Sequence, residues 1–289
     1  MIAGLLGEVS AEQLGHHGPW INTNAWSVPV YTVGARERTT RVILDHAPDP
    51  ALSRAFSRVP LPRGAHPAAG TDHHLVVYQP SRDRMWEFFG LVRTHRRWHT
   101  NWGGAMRHVS RNPGIFGPRA WPGAKTWWGA TATSLPLLGG LMRIDELQRG
   151  SINHALAMAM PNPRRGVWAW PAQRSDGNAP GPTAIPEGAR LRLDPRLDLS
   201  QLPMPPLTRM MAVAAQRYGI IVRDKAGVIT FAAEDPTPLA ATNPYTNNPL
   251  SGQPLPGGLF DGKWPSALLA QFPWEHLQVL KMSLRHAAY

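Results

Sequence analysis

The apolar and polar positions of the chain alternate most clearly between Gly70 and Gly90. Two short runs, HLVVYQ and RMWEFFGLV, flank Pro80, Ser81, Arg82 and Asp83, residues with turn chemistry, and together they predict a β-hairpin. With Gln79 opposite Arg84, Val76 lies opposite Glu87 and His74 opposite Phe89. Strand alternation then puts His73, Leu75, Val77, Trp86 and Phe88 on one face. The other face carries Asp72, His74, Val76, Tyr78, Met85, Glu87 and Phe89. The first face is the expected core. The second holds carboxylates that are costly to bury without a partner, so it is expected to face water or a ligand.

The same reading runs along the rest of the chain. INHALAMAMP alternates large and small side chains, as a strand with one buried face does. VPVYTV, TTRVILDH, RWHTNW, GVWAWPA, GARLRLDP and HLQVLKMSL also read as strands, and GIIVRD with VITFAAED as a hairpin over Lys225, Ala226 and Gly227. PPLTRMMAVAAQRYG is the best helix, opened by prolines and closed by Gly219. Shorter helices are expected over 49–58, from about Arg143 to a stop at Gly150, and in WPSALLAQF. Thirty Pro and 27 Gly leave few stretches for long helices. The expected fold is mainly β, a β-sandwich or jelly-roll-like body with a few peripheral short helices. Residues 1–27 read as an N-terminal arm. Residues 28–289 read as one domain, with a Pro/Asn/Gly-rich loop at 235–262.

Charge narrows the partners. The formal net charge is +11, carried mostly by Arg, which suits an acidic polysaccharide, nucleic acid or a membrane surface. The densest basic cluster, RTHRRWH from Arg93 to His99, is a single loop rather than a stripe. No nucleic-acid-binding signature accompanies it, so nucleic acid is set aside. No apolar run approaches the roughly 18 residues of a membrane span, and no protein partner is inferred. The absence of Cys excludes thiol nucleophiles and thiolate metal sites. No HExxH or His-x-His pattern occurs, and His73 and His74 point to opposite faces of one strand, so neither a metal nor a cofactor is expected. There is no GxSxG elbow, and LLGGL lacks phosphate-loop spacing.

The segments GTDHHLVVYQPSRDRMWEFF, WHTNWGG, ATATSLPLLGGL, INHALAMAMP, WPAQRSDG, IPEGARLRLDP and AAQRYGIIVRD resemble a family of uncharacterised, often secreted bacterial proteins, from about Val28 to Asp235. The resemblance implies an extracellular protein; it brings no activity and no site residue. The opening MIAGLLGEVSAEQLG lacks the basic start and long apolar centre of a signal peptide, so secretion is expected with a signal already removed.

An acid–imidazole cluster on an open sheet, beside a Trp-rich segment, has the form of a glycan site. Glycosidases use two carboxyl groups, one to protonate the leaving oxygen and one as base or nucleophile. Glu87 is the expected catalytic carboxylate, supported by Asp72, His74 and His154. Asp72 lies too far from Glu87 along the strands to be its pair, so Asp145, Glu146 and Asp176 are candidate partner acids. Trp102, Trp121, Trp127, Trp128, Tyr78 and Arg174 are expected to bind the polysaccharide or oligosaccharide. The alternatives are β-elimination on an acidic glycan through His74, His154 and Arg174, and a non-catalytic carbohydrate-binding protein.

Overall fold

The structure is a computed structural model describing residues 1–45, 48–239, 242–248 and 253–287. Among these residues sixteen strands form four sheets, and the helices are five and short. The protein is mainly β, consistent with a β-sandwich.

The alternation in INHALAMAMP sets the middle of the larger sheet. Leu156, Met158 and Met160 of β9 (Leu156–Met160) enter one core, while Ala157 and Ala159 face the opposite side. β12 (Ile220–Lys225) runs parallel to one edge of β9, and β13 (Thr230–Ala232) antiparallel to the other. β1 (Trp20–Asn22) follows β13, and β11 (Arg190–Leu193) and β15 (Leu277–Val279) follow β12, completing six strands.

GIIVRD and VITFAAED therefore do not form the expected hairpin. β9 is inserted between them, and residues 226–229 cross its end, where the Ala226 amide donates to the Met160 carbonyl. Both rows of β9 backbone groups are thereby paired, which a direct hairpin between its neighbours would have left open.

The second sheet runs β14 (Glu234–Asp235), β2 (Val28–Thr32), β4 (Leu75–Gln79), β5 (Arg84–Phe89) and β8 (Trp102–Arg107). The β4–β5 hairpin has the expected register, with Val76 opposite Glu87 and Gln79 opposite Arg84. RWHTNW, expected as one strand, is split at Asn101. Its first half is β7 (Arg97–Thr100), which joins β3 (Val42–Leu44) and β6 (Val92–Thr94) in a small third sheet. β10 (Val167–Ala169) and β16 (Leu284–His286) form the fourth.

Two cores lie on the outer faces of the two large sheets. Against the six-stranded sheet pack α1 (Ile2–Leu14), α3 (Ile144–Arg149), α4 (Pro206–Arg217) and α5 (Pro265–Leu269). Against the five-stranded sheet packs α2 (Pro50–Ala55), whose first turn is capped by Asp49 accepting from the amides of Ala51 and Leu52. Leu75, Val77, Trp86 and Phe88 enter this core, as their alternation predicts. A third, smaller cluster joins the sheets: Val28, Val30 and Val76 from one, Ala157 and Ala232 from the other, with Leu137 and Leu141 between them.

Residues 1–27, read as an arm, supply a helix and a strand to the larger sheet. Leu5 and Val9 are core residues, and the Glu12 carboxylate accepts from the Ile229 amide at 2.8 Å.

Met158 is 1% exposed at the centre of the larger core. Replacing it with Ala should cost about 2–5 kcal/mol, through lost burial and a residual cavity. Denaturant titration at constant m-value measures the loss.

Candidate functional site

The face expected to be open is covered. The Glu87 side chain is fully buried between the two sheets. Its Oε1 accepts from the Ala130 amide at 2.7 Å and its Oε2 from the Leu137 amide at 2.8 Å. Burial pushes its pKa up to about 7, against the pull of those two amides and the Arg223 charge. Glu87 thus holds the 130–137 segment in place and does not line the cleft beside it. Backbone donors, rather than water, meet the cost of burying the carboxylate.

The same segment is gripped from the other side. The Arg223 Nη1 donates to the carbonyls of Leu137 and Gly139. The Arg174 guanidinium donates to Ser134 Oγ at 2.8 Å and to the carbonyls of Thr131 and Gly129. The segment approaches the larger sheet so closely that a Cβ at Gly140, where φ is +76°, would lie 2.6 Å from the Ala157 amide nitrogen.

Beside this seal the sheets part into a cleft of about 870 Å³. Asp72 and His74 reach it from the start of the hairpin, and Arg223, Asp224 and Lys225 from the end of β12. Arg223 and Asp224 are consecutive yet share the cleft, because the β12–β9 pairing slips between Val222 and Asp224. An irregularity of this kind re-aims a side chain that strict alternation would send into the core. Ala157 and Ala159 keep the floor shallow.

Aromatic rings form the cleft walls. Trp20 stacks on Trp264 with centroids 6.3 Å apart. Trp26 lies over Gly70, where a Cβ would meet the indole at 2.8 Å, and its Nε1 donates to Thr71 Oγ1. Trp26 and Trp264 are about half exposed. Asn22, Asn24 and Asn243 add amide groups to the lining.

Two titratable groups of the cleft, His74 and Asp224, are strongly perturbed. Burial lowers the His74 pKa to about 4; neighbouring Asp72 opposes the shift and Arg223 adds to it. His74 is therefore neutral at neutral pH, and its Nε2 is shielded from water without a hydrogen-bond partner. Burial raises Asp224 to about 7, with Arg223 opposing and Asp176 and Asp72 reinforcing.

Behind Asp224, the carboxylates of Asp176 and Glu187 complete a group of three whose oxygens lie within 4.8 Å of one another. Glu187 is raised by burial, offset in part by Ser175 and reinforced by Asp176 and Asp224.

Of the residues singled out in the sequence, Asp72 and His74 meet in the cleft. His154 does not line it. Its Nε2 lies 3.0 Å from Glu146 Oε2 and its Nδ1 2.9 Å from the Ala155 carbonyl, a local pair on α3. Asp145 pairs with Arg149 on the same helix.

Trp102, Trp121 and Trp128 of the 102–128 segment serve the second core, and none of its four tryptophans lines the cleft. Trp128 is fully buried and donates to Asp49. Trp102 donates to the Trp127 carbonyl. Trp121 packs edge-on to Trp86 beneath Arg107. Trp127 is half exposed, outside the cleft lining. Tyr78 is half-buried on β4 between two apolar clusters, and Arg174 is committed to the seal.

The residues that the sequence reading passed over are Trp20 and Trp26, at the two ends of WINTNAW, and Arg223-Asp224. Two adjacent charges closing an otherwise apolar strand were the available signal. No family model, curated protein or solved structure matches the chain.

Glu87 has a consequence for stability against pH. In the unfolded chain it ionises near the ordinary glutamate value of 4.5, and in the fold at about 7. Between those values the native state keeps a proton that the unfolded state releases, so this contribution to stability falls as pH rises through that window and levels off above it. Glu87→Gln should flatten that part of the profile. It should also lower stability at pH ~5 by about 1–3 kcal/mol, since one amide loses its acceptor. Melting curves at a series of pH values test both.

Proposed function

We propose that the cleft binds a stretch of polysaccharide and that the protein hydrolyses it outside the cell. The observation carrying this reading is that Trp20, Trp26 and Trp264 flank two carboxyl groups, Asp72 from the loop entering β4 and Asp224 from β12, in one cleft. Indole faces give sugar rings apolar platforms, and asparagine amides between them suit hydroxyl recognition. Glycosidic hydrolysis uses two carboxyl groups, one to deliver a proton to the leaving oxygen and one as base or nucleophile, and the cleft offers two on separate walls. In this reading Asp224 takes the role that the sequence suggested for Glu87, and Asp72, expected there in support, becomes the second carboxyl.

β-Elimination has less support. His74 would be its base, but His74 Nε2 has no water-accessible surface through which to reach a substrate carbon, and Arg174 is spent on backbone carbonyls.

Asp72→Asn and Asp224→Asn should each reduce release of reducing ends from a responsive polysaccharide by about 10²–10⁴-fold while leaving binding intact. Trp26→Ala should weaken binding. Screening neutral and acidic polysaccharides, with reducing-end and ultraviolet readouts together, is the test. Unsaturated products would replace hydrolysis with elimination. Binding without any product would leave a carbohydrate-binding protein, and unchanged turnover in both Asn variants would remove the assignment.

A further inference from the structure

The three carboxylates behind the cleft are not accounted for by polysaccharide hydrolysis alone. Asp176, Glu187 and Asp224 bring oxygens within 4.8 Å of one another from three separate stretches of chain. Glu187 is fully buried. Its Oε2 accepts from the Asp176 amide at 3.1 Å, but its Oε1 has no hydrogen-bond partner. Its place is held by the backbone: at Gly188, φ +80°, a Cβ would lie 1.8 Å from the Ala169 carbonyl oxygen. An unpaired buried carboxylate oxygen beside two further carboxylates is a costly arrangement without positive charge to receive it.

Arg174 acts by charge on all three carboxylates and Arg223 on Asp224, but among the described residues neither donates a hydrogen bond to them. Arg174 directs its donors to Ser134, Thr131 and Gly129, and Arg223 uses Nη1 on Leu137 and Gly139. Among the described residues, Lys225 is the cation in direct contact with the group. Its Nζ lies 3.4 Å from Asp176 Oδ2, on the exposed side, and donates to the Asp176 carbonyl.

We infer that Asp176, Glu187 and Asp224 form a binding site for a hard divalent cation of the Ca²⁺ class, with Glu187 Oε1 as its buried ligand. All the donors are carboxylate oxygens, the preference of such ions. Ligands on opposite sides of Ca²⁺, each at about 2.3–2.6 Å, stand about 5 Å apart, which accommodates the spacing of the group. Asp176 is exposed and Asp224 opens on the cleft, so water or substrate oxygens can complete the coordination. The bound cation would displace the Lys225 ammonium from Asp176. The site shares Asp224 with the hydrolysis reading but does not depend on it.

The test is calorimetric titration of the full chain, stripped with chelator, with Ca²⁺, alongside Tb³⁺ luminescence sensitised by the cleft tryptophans. One site per chain is expected. D176N, at an exposed position that leaves the fold intact, and E187Q should weaken it by about 100-fold or beyond detection. K225M should tighten it several-fold, and D72N should leave it unchanged even if hydrolysis is lost. Absence of binding, or binding that survives both D176N and E187Q, overturns the site. Should E187Q fail to fold, D176N and K225M decide the question by themselves. A Ca²⁺-binding protein that releases no sugar keeps the site and removes only the hydrolysis reading.

Discussion

One buried carboxylate organises the space between the two large sheets. Glu87 rises from the middle of β5 and receives the amides of Ala130 and Leu137. Its strand is anchored on the opposite face by Trp86 and Phe88 in the outer core. The segment it holds has no regular ladder of its own, so its polar backbone groups need partners from the sheets on either side. Glu87 serves the donors, while Arg223 and Arg174 serve carbonyl acceptors. Removing any of these would leave buried polar groups unpaired, a larger loss than the bond itself contributes.

The position of that seal decides where the cleft can be. Where the 130–141 segment fills the gap, the sheets are joined by Val76, Leu137, Leu141 and Ala157. Where it does not reach, the same two inner faces diverge and expose Asp72, Asp224 and the alanines of β9. Seal and cleft share a residue: Arg223 bonds to the segment and also lines the opening. Its charge pulls both His74 and Asp224 down, favouring neutral imidazole and ionised carboxylate. The chemistry available to the cleft is therefore tied to the integrity of the packing beside it.

Strain and irregularity gather around the same region. Gly140 passes the sheet too closely for a side chain, Gly70 lies flat against Trp26, and the β12 irregularity turns Asp224 out of the core. Each is a departure from ideal geometry at the point where a polar side chain or aromatic ring must be presented to the opening. This is the usual distribution of local cost near sites of recognition.

Alternation along each strand is local, and it was legible: the hairpin register, the inward set of Leu75, Val77, Trp86 and Phe88, and the two faces of β9 follow from side chains pointing alternately up and down. So did the mainly β class, the helix ended before Gly219 and the left-handed stop at Gly150. What alternation cannot say is which of two faces is covered, and by what. Glu87 looked accessible because nothing near it in the chain pairs with it; its partners lie 43 and 50 residues away. The tryptophans of 102–128 looked like a sugar platform, yet the bulk of Trp102, Trp121 and Trp128 goes into the second core. Trp20 and Trp26, in a segment read as an arm, became the walls. Parity is a property of the strand alone, whereas burial depends on which distant segment comes to rest against it, and only the folded chain decides that.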